Sequence, residues 1–343
     1  MAAKKRPLIG ISVGDPGGIG PEITAKALAL EEIYTICRPL VVSDFDLMKD
    51  AVRIANVQLE LNRVSRPAEG RYEFGCIDVL DMDNVDMSKL VHKKVIAENG
   101  KACFEYIKKV IDLAMAGEID ATVTGPIHKE ALNAAGFHYA GHTEIYSDLT
   151  NTEDYAMMLA DGDFRIIHVS THIALREACD RVKKDRILKV IHLIRDALDR
   201  LGIENPVIAV AGLNPHAGEG GLFGDEEIKE IIPAIEAAKS EGINVLGPLP
   251  SDTIFSKARS GEYDAVVAMY HDQGHVAMKT AGFVYDGEGN WSAISGVNVT
   301  LGLPIIRASV DHGVAFGKAG EGRANPQSMI QAIRMAVQLS DVG

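Results

Sequence analysis

The chain has 343 residues, 47% of them hydrophobic and 24% charged, a globular balance that excludes a largely disordered polymer. Lys and Arg number 35 against 48 Asp and Glu, a net charge of −13 that argues against nucleic acid or an anionic membrane as partner, since phosphate backbones need a basic face. At roughly 150 residues per domain the length predicts two domains or one large α/β unit. No apolar run approaches the length of a membrane span. The basic start meets Gly14-Asp15 before a signal-peptide core can form. Cys37, Cys76, Cys103 and Cys179 form no Cys-x-x-Cys pair and read as free thiols, which predicts a cytoplasmic protein in a reducing compartment.

Short aliphatic runs at 7–13, 39–43, 120–124, 165–170, 206–212 and 264–269 suit strands covered on both faces. Helical spacing appears at 22–30, 97–116, 184–201 and 226–241, with a helical tail from Ser328. Strands alternating with helices predict βαβ units and a mostly parallel sheet. Ligands of such sheets gather beyond the carboxyl ends of the strands, so the polar segments following the strand candidates are the places to look for chemistry.

The first of these is Gly14-Asp-Pro-Gly-Gly-Ile-Gly-Pro-Glu22. Its glycines permit a tight turn, and free N–H groups at the following helix start suit an anion or the nicotinamide end of a cofactor. It lacks both the G-x-G-x-x-G register and a Gly-Lys-Ser/Thr, so a plain strand-to-helix turn is an equal reading. Gly141-His-Thr-Glu144 offers His142 and Thr143 for a carboxylate or hydroxyl, or as the cap of a helix starting near Glu144, and the cap is the preferred reading. His172, His216 and His271 each follow a strand candidate, and three neutral imidazoles suit a divalent metal with open positions for a substrate. Their wide spacing matches no local metal motif, and His168 with His172 and His271 with His275 form competing i, i+4 pairs. His168, inside an apolar run, reads as a hydrogen-bonded core histidine. Lys279, Asn298 and Arg307 would form a phosphate or carboxylate pocket, or lie solvated at the surface. The stretch from Asp311 to Pro326 reads as an ordered glycine-rich loop or a surface excursion.

In order, G-D-P-G-G-I-G-P-E, G-H-T-E, S-T-H, N-P-H-A-G-E-G-G, Y-H-D-Q-G, G-V-N-V-T-L-G-L-P and S-V-D-H-G resemble the 4-hydroxythreonine-4-phosphate dehydrogenase family of vitamin B6 (pyridoxal phosphate) synthesis. The likeness runs along essentially the whole chain. The first and last motifs also resemble isopropylmalate and isocitrate dehydrogenases. That resemblance implies a two-domain α/β/α fold with the active site in the interdomain cleft and at a homodimer interface, where each site is shared between subunits. It implies oxidation with β-decarboxylation, NAD (or NADP) as cofactor, and one divalent metal, Zn, Mg, Mn or Co, per site.

Residue by residue, the family's metal ligands fall on His172, His216 and His271. Its substrate positions fall on His142, Thr143, Lys279, Asn298 and Arg307, with Lys279 also catalytic. Its cofactor positions fall on Gly14, Asp15, His312, Gly313, Ala319, Gly320 and Asn325. Domain boundaries are expected at 1–125 with 285–343 on the cofactor side, and at 126–284 for metal, substrate and dimerisation. Two departures stand out. Gly317-Lys318 replaces an acidic residue followed by an aliphatic one. The segment from Thr280 to Val297 is about ten residues longer than in the B6 enzyme, and with His275 it is more similar to a sister branch that oxidises D-threonate or D-erythronate 4-phosphate. The B6 reaction itself is the alternative reading of this small phosphorylated hydroxy-acid site. A non-catalytic sugar-phosphate binding protein would explain the basic pocket but not three histidines with a cofactor loop, and a metal-dependent hydrolase would explain the histidines but not that loop.

Overall fold

The computed structural model describes residues 6–285, 291–294 and 296–340. In chain order its strands are β1 (Leu8–Ser12), β2 (Arg38–Ser43), β3 (Glu60–Val64), β4 (Cys76–Asp81), β5 (Ala121–Thr124), β6 (Ala156–Asp161) and β7 (Phe164–His168). They continue as β8 (Ile208–Ala211), β9 (Val245–Leu249), β10 (Ala265–Ala268), β11 (Phe283–Tyr285), β12 (Trp291–Ile294), β13 (Val297–Leu301) and β14 (Arg307–Val310). The six aliphatic runs became β1, β2, β5, β7, β8 and β10, and the predicted helices appear as Gly20–Leu28, Ala97–Met115, Lys184–Arg200 and Gln327–Ser340. The stretch expected as one helix from 226 opens instead with a π turn, Glu227–Ile231, before the α-helix Ile232–Ser240.

The chain divides into two compact units, 1–152 with 303–343, and 153–302. The expected boundaries at 125/126 and 284/285 lie elsewhere. Residues after 125 stay with the first unit because Leu132, Ile145 and Tyr146 pack with Cys103, Phe104, Ile107 and Ile111 of the helix Ala97–Met115 in one buried cluster. Burying each such side chain contributes about 1.5–3 kcal/mol.

In the first unit the strand order is β3-β4-β2-β1-β5-β14, every pairing parallel. β1 is buried along its whole length, as expected for a strand covered on both faces. Parallel pairing puts the carboxyl ends of β1, β5 and β14 on one edge, which brings the loops after Ser12, Thr124 and Val310 together. In the second unit the order is β13-β6-β7-β10-β8-β9. There β7, β10, β8 and β9 are parallel, while β6 joins β7 and β13 antiparallel. The shared edge now gathers the loops after β7, β10 and β8, each bearing one of the three expected histidines. Of the segment from Thr280 to Val297, residues 286–290 and 295 lie outside the described residues, and its flanks pair as the antiparallel strands β11 and β12. No described helix is long and apolar enough to cross a membrane. All four cysteines are free, Cys37, Cys76 and Cys103 buried and Cys179 exposed.

Candidate active site

In the first unit the glycine turn and the late loop meet. Gly14 has φ +83, and a Cβ there would lie 2.2 Å from the Pro126 carbonyl oxygen, so the close approach after β1 and β5 requires glycine. The amide of Ile19 donates to the Val314 carbonyl at 3.1 Å, which joins the turn to the 311–326 loop. Glu22 and Lys26 fasten the far end of that loop. Lys26 Nζ donates to Glu22, to the Gly322 carbonyl and to the Ala324 carbonyl, each at 2.8 Å, while Glu22 accepts from the Ala324 amide. Ala319 is buried, Gly320 lies against the His92 ring, and Phe316 stacks on His128 with centroids 4.8 Å apart. His312 Nδ1 is 2.9 Å from the neighbouring Gly313 carbonyl. Asn325 Oδ1 accepts from the Gln327 amide and thus caps the C-terminal helix. Gly317, the departure in this loop, has open space around its Cα, so an acidic side chain is not excluded by packing.

Asp15 is 1% exposed, with Oδ1 accepting from the Gly17 amide at 2.8 Å and Oδ2 buried without a partner. Burial pushes its carboxyl up to about 6, against the lowering effects of the Gly17 N–H and of His128. A raised folded pKa gives stability that is full below the unfolded value near 3.8 and lost as pH rises through about 6. Asp15→Asn is therefore expected to unfold with the native protein near pH 4 and to be more stable at pH 8, by about 2–3 kcal/mol. Thermal unfolding of both proteins at the two pH values checks this, and equal differences at both would refute it.

The expected substrate residues of the first unit also come together. Arg307 is 2% exposed, its Nη2 donates to Thr124 Oγ1 at 3.1 Å, and its guanidinium lies 5.5 Å from the Tyr146 ring centre. Burial lowers its pKa to about 10, which leaves it charged at neutral pH. The helix His142–Leu149 starts at His142 with Gly141 as its N-cap and no side-chain cap bond. The preferred capping role for His142 and Thr143 is therefore corrected: the backbone enters the helix two residues earlier than expected, placing both side chains in the first turn. Burial, then the Arg307 charge, drives the His142 pKa well below its ordinary 6.5 and keeps the imidazole neutral. Its Nε2 is buried without a partner. Thr124 and Tyr146 were not singled out in the sequence; a threonine ending a buried strand two residues before Pro126 was the available signal.

In the second unit the amide of Val169 donates to the Ala268 carbonyl, and Ser170 Oγ to the Met269 carbonyl. These bonds tie the ends of β7 and β10 and bring the His172 and His271 rings to 5.6 Å. Both rings line a cavity of about 390 Å³ with Thr171, Tyr270 and Asp272. His271, His275 and Lys279 occupy successive turns on one face of the helix His271–Gly282, with the first two rings stacked at 3.6 Å. His168 is fully buried with Nδ1 3.1 Å from the Met157 carbonyl, the core histidine expected. Gln273, missed in the sequence, accepts from the Met269 amide and donates to the Gly212 carbonyl, linking the start of the His271 helix to the loop after β8. Asn298 donates through Nδ2 to the Met157 sulfur, and its Oδ1 is buried without a partner.

His216 stands apart from this pair. It is exposed, its Nδ1 is 2.9 Å from Glu219 Oε1, and its ring meets Phe223 edge-on. Among the described residues of one chain, no three His, Cys, Asp or Glu side chains are arranged to hold a metal ion. A single chain thus does not fit the three-imidazole metal site.

Comparison with known proteins follows the same lines. A curated relative from Symbiobacterium thermophilum, named "Putative D-threonate 4-phosphate dehydrogenase", is 49% identical over 333 residues, covering 97% of this chain and 96% of its own. Crystal structures of 4-hydroxythreonine-4-phosphate dehydrogenases from Burkholderia phymatum and Klebsiella pneumoniae are 42% and 41% identical, with TM-scores of 0.83 and 0.85. They cover 98% and 99% of this chain and 99% of each relative. A β-decarboxylating dehydrogenase from Thermococcus kodakarensis, 13% identical with a TM-score of 0.50, covers 96% of this chain and 82% of its own, and shares the fold alone. The family described as pyridoxal phosphate biosynthetic protein PdxA matches residues 35–336. A chain matched over that span, and at 49% identity to a full-length relative, belongs to this family of dehydrogenases.

Proposed function

We propose that the chain oxidises a phosphorylated four-carbon 3-hydroxy acid, D-threonate or D-erythronate 4-phosphate, with NAD as hydride acceptor, and that β-decarboxylation follows. The observation that carries this reading is the buried cation of Arg307 beside neutral His142, set in a chain of net charge −13. A local cationic pocket on an acidic protein fits a small polyanion and no nucleic acid. The name of the 49% identical relative supports the choice of acid.

In this reading hydride leaves the carbon bearing the secondary hydroxyl and adds to the nicotinamide ring, while the hydroxyl proton is lost. The resulting ketone lies β to the carboxylate, so CO2 departs and leaves its electron pair on an enolate. Lys279, two turns from His271 on the same helix face, supplies positive charge to that enolate and returns a proton to its carbon. Arg307, His142 and Thr143 grip the anionic ends, Asn298 Oδ1 accepts from a substrate hydroxyl, and the 14–20 turn with the 312–325 loop serves the dinucleotide.

A divalent metal would polarise the hydroxyl and the new carbonyl. Since, among the described residues, one chain brings His172 and His271 together without His216, the proposal is that a second copy supplies His216, making the site one shared by a homodimer. The test is reduced-dinucleotide absorbance with NAD, a divalent metal and a panel of four-carbon hydroxy-acid phosphates. Turnover dependent on both dinucleotide and metal is expected. Binding of the phosphates without dinucleotide reduction would leave a sugar-phosphate binding protein instead.

A further inference from the structure

His216 rides on an unusual piece of backbone. Residues His216, Ala217, Gly218, Glu219 and Gly220 all have positive φ, at 52°, 55°, 78°, 41° and 68°. Three of the five carry side chains, for which left-handed backbone is strained. Such a run persists only where its surroundings over-determine it.

Glu227 provides that constraint. It is 2% exposed and sits at the first residue of the π turn Glu227–Ile231, a local widening of the helix that frequently marks functional sites. Its Oε1 accepts from the Leu213 amide at 2.8 Å and the Asn214 amide at 2.7 Å, and its Oε2 accepts from Asn214 Nδ2 at 2.9 Å. Gly218 lies directly on the carboxylate, for a Cβ there would be 2.8 Å from Oε2. Gly212 lets the loop fold back on itself, since its Cβ would be 2.7 Å from Ala217 Cα. Bonds to a buried carboxylate are the strong kind, so three of them hold the left-handed run in place.

We infer that Glu227 is a positioning residue that holds the left-handed turn in the conformation from which His216 acts. The inference rests on the reading in which His216 works at the site. Glu227→Gln keeps the shape but makes one acceptor oxygen a donor, which faces either the Leu213 and Asn214 amides or the Asn214 side chain. With D-threonate 4-phosphate and NAD, the full-length variant is expected to lose at least about tenfold in kcat with KM within about threefold. Amide exchange at residues 213 and 214 should quicken at least about tenfold, and exchange in the helix Lys184–Arg200 should not change.

A kcat within about threefold of the native value, or a loss with unaltered exchange at 213 and 214, would overturn the inference. So would a loss accompanied by equal loosening of the helix Lys184–Arg200, which signals general unfolding. His216→Ala measured alongside separates the two readings. An active His216→Ala removes the role of His216 itself. An inactive one beside a fully active Glu227→Gln removes only the clamp. If the native protein does not turn over this substrate, exchange at 213 and 214 still decides whether the carboxylate holds the turn.

Discussion

His216→Ala is expected to lower turnover by at least about a thousandfold and to abolish the binding of a divalent metal at the proposed shared site, with the fold intact. The fold survives because the side chain is exposed and, among the described residues, meets Glu219 three residues on and the exposed Phe223 ring, so no core contact is lost. The sharper part of the prediction concerns mixtures. His172 and His271 lie together in one chain while His216 does not join them, so a shared site would draw its third imidazole from a neighbour. A dimer of one His216→Ala chain and one His271→Ala chain then holds one site with both defects and one with none. Random exchange of the two inactive proteins should restore roughly a quarter of native activity, since half the dimers are mixed and half their sites are whole. Metal content should recover in the same proportion. An active monomer in sedimentation, or a mixture as dead as its components, would end the shared-site reading.

The second large effect is on substrate choice. The competing substrate, 4-hydroxy-L-threonine 4-phosphate, carries an ammonium at C2 where the threonate and erythronate phosphates carry a hydroxyl. The residues proposed for the substrate include Arg307, Lys279, a neutral His142 and one acceptor, Asn298 Oδ1, while the neighbouring carboxylates Glu144 and Asp272 already face Arg307 and His271. In the proposed site an ammonium would meet the charge of Arg307 or exchange water for the single neutral acceptor of Asn298, whereas a hydroxyl would be satisfied by that acceptor alone. A site built around one polar group rejects a mismatched analogue strongly, so kcat/KM for a threonate or erythronate 4-phosphate should exceed that for the amino substrate by at least about tenfold. Competition of the three in one assay measures it. A tenfold preference for the amino substrate would place the chain in vitamin B6 synthesis and make the longer 280–297 segment irrelevant to choice.

What could be read in advance follows burial. The strands β1, β2, β5, β7, β8 and β10 were legible because both faces are covered and each is built around a run of aliphatic residues. β3, Glu-Leu-Asn-Arg-Val, was not, for it is an edge strand whose outer residues are exposed. β9 was hidden by Gly247-Pro248, a pair that reads as a turn and is tolerated only at an edge. The antiparallel β6–β7 hairpin carried a signal that went unused, Asp161-Gly162 between two apolar runs. At the site, the histidines stood out because they follow strands. Glu227 and Gln273 did not, because they act mainly on main-chain atoms, and a carboxylate 13 or 14 residues from its partners, or an amide reaching 61 residues back, looks like any surface side chain.

The order in which the chain leaves the ribosome meets a constraint in the first unit. Its sheet begins with β1, yet the strand that completes it beside β5 is β14, and the helix Gln327–Ser340 follows later still. Between β5 and β14 the whole second unit, residues 153–302, is synthesised. That later-made unit is contiguous, so it can finish while the earlier-made one waits with one side of β5 unpaired. An unpaired edge on a buried parallel strand is what chaperones bind and what nascent chains aggregate through. The N-terminal part of the protein is thus the last to become native, and its vulnerable interval lasts as long as the translation of some 150 residues.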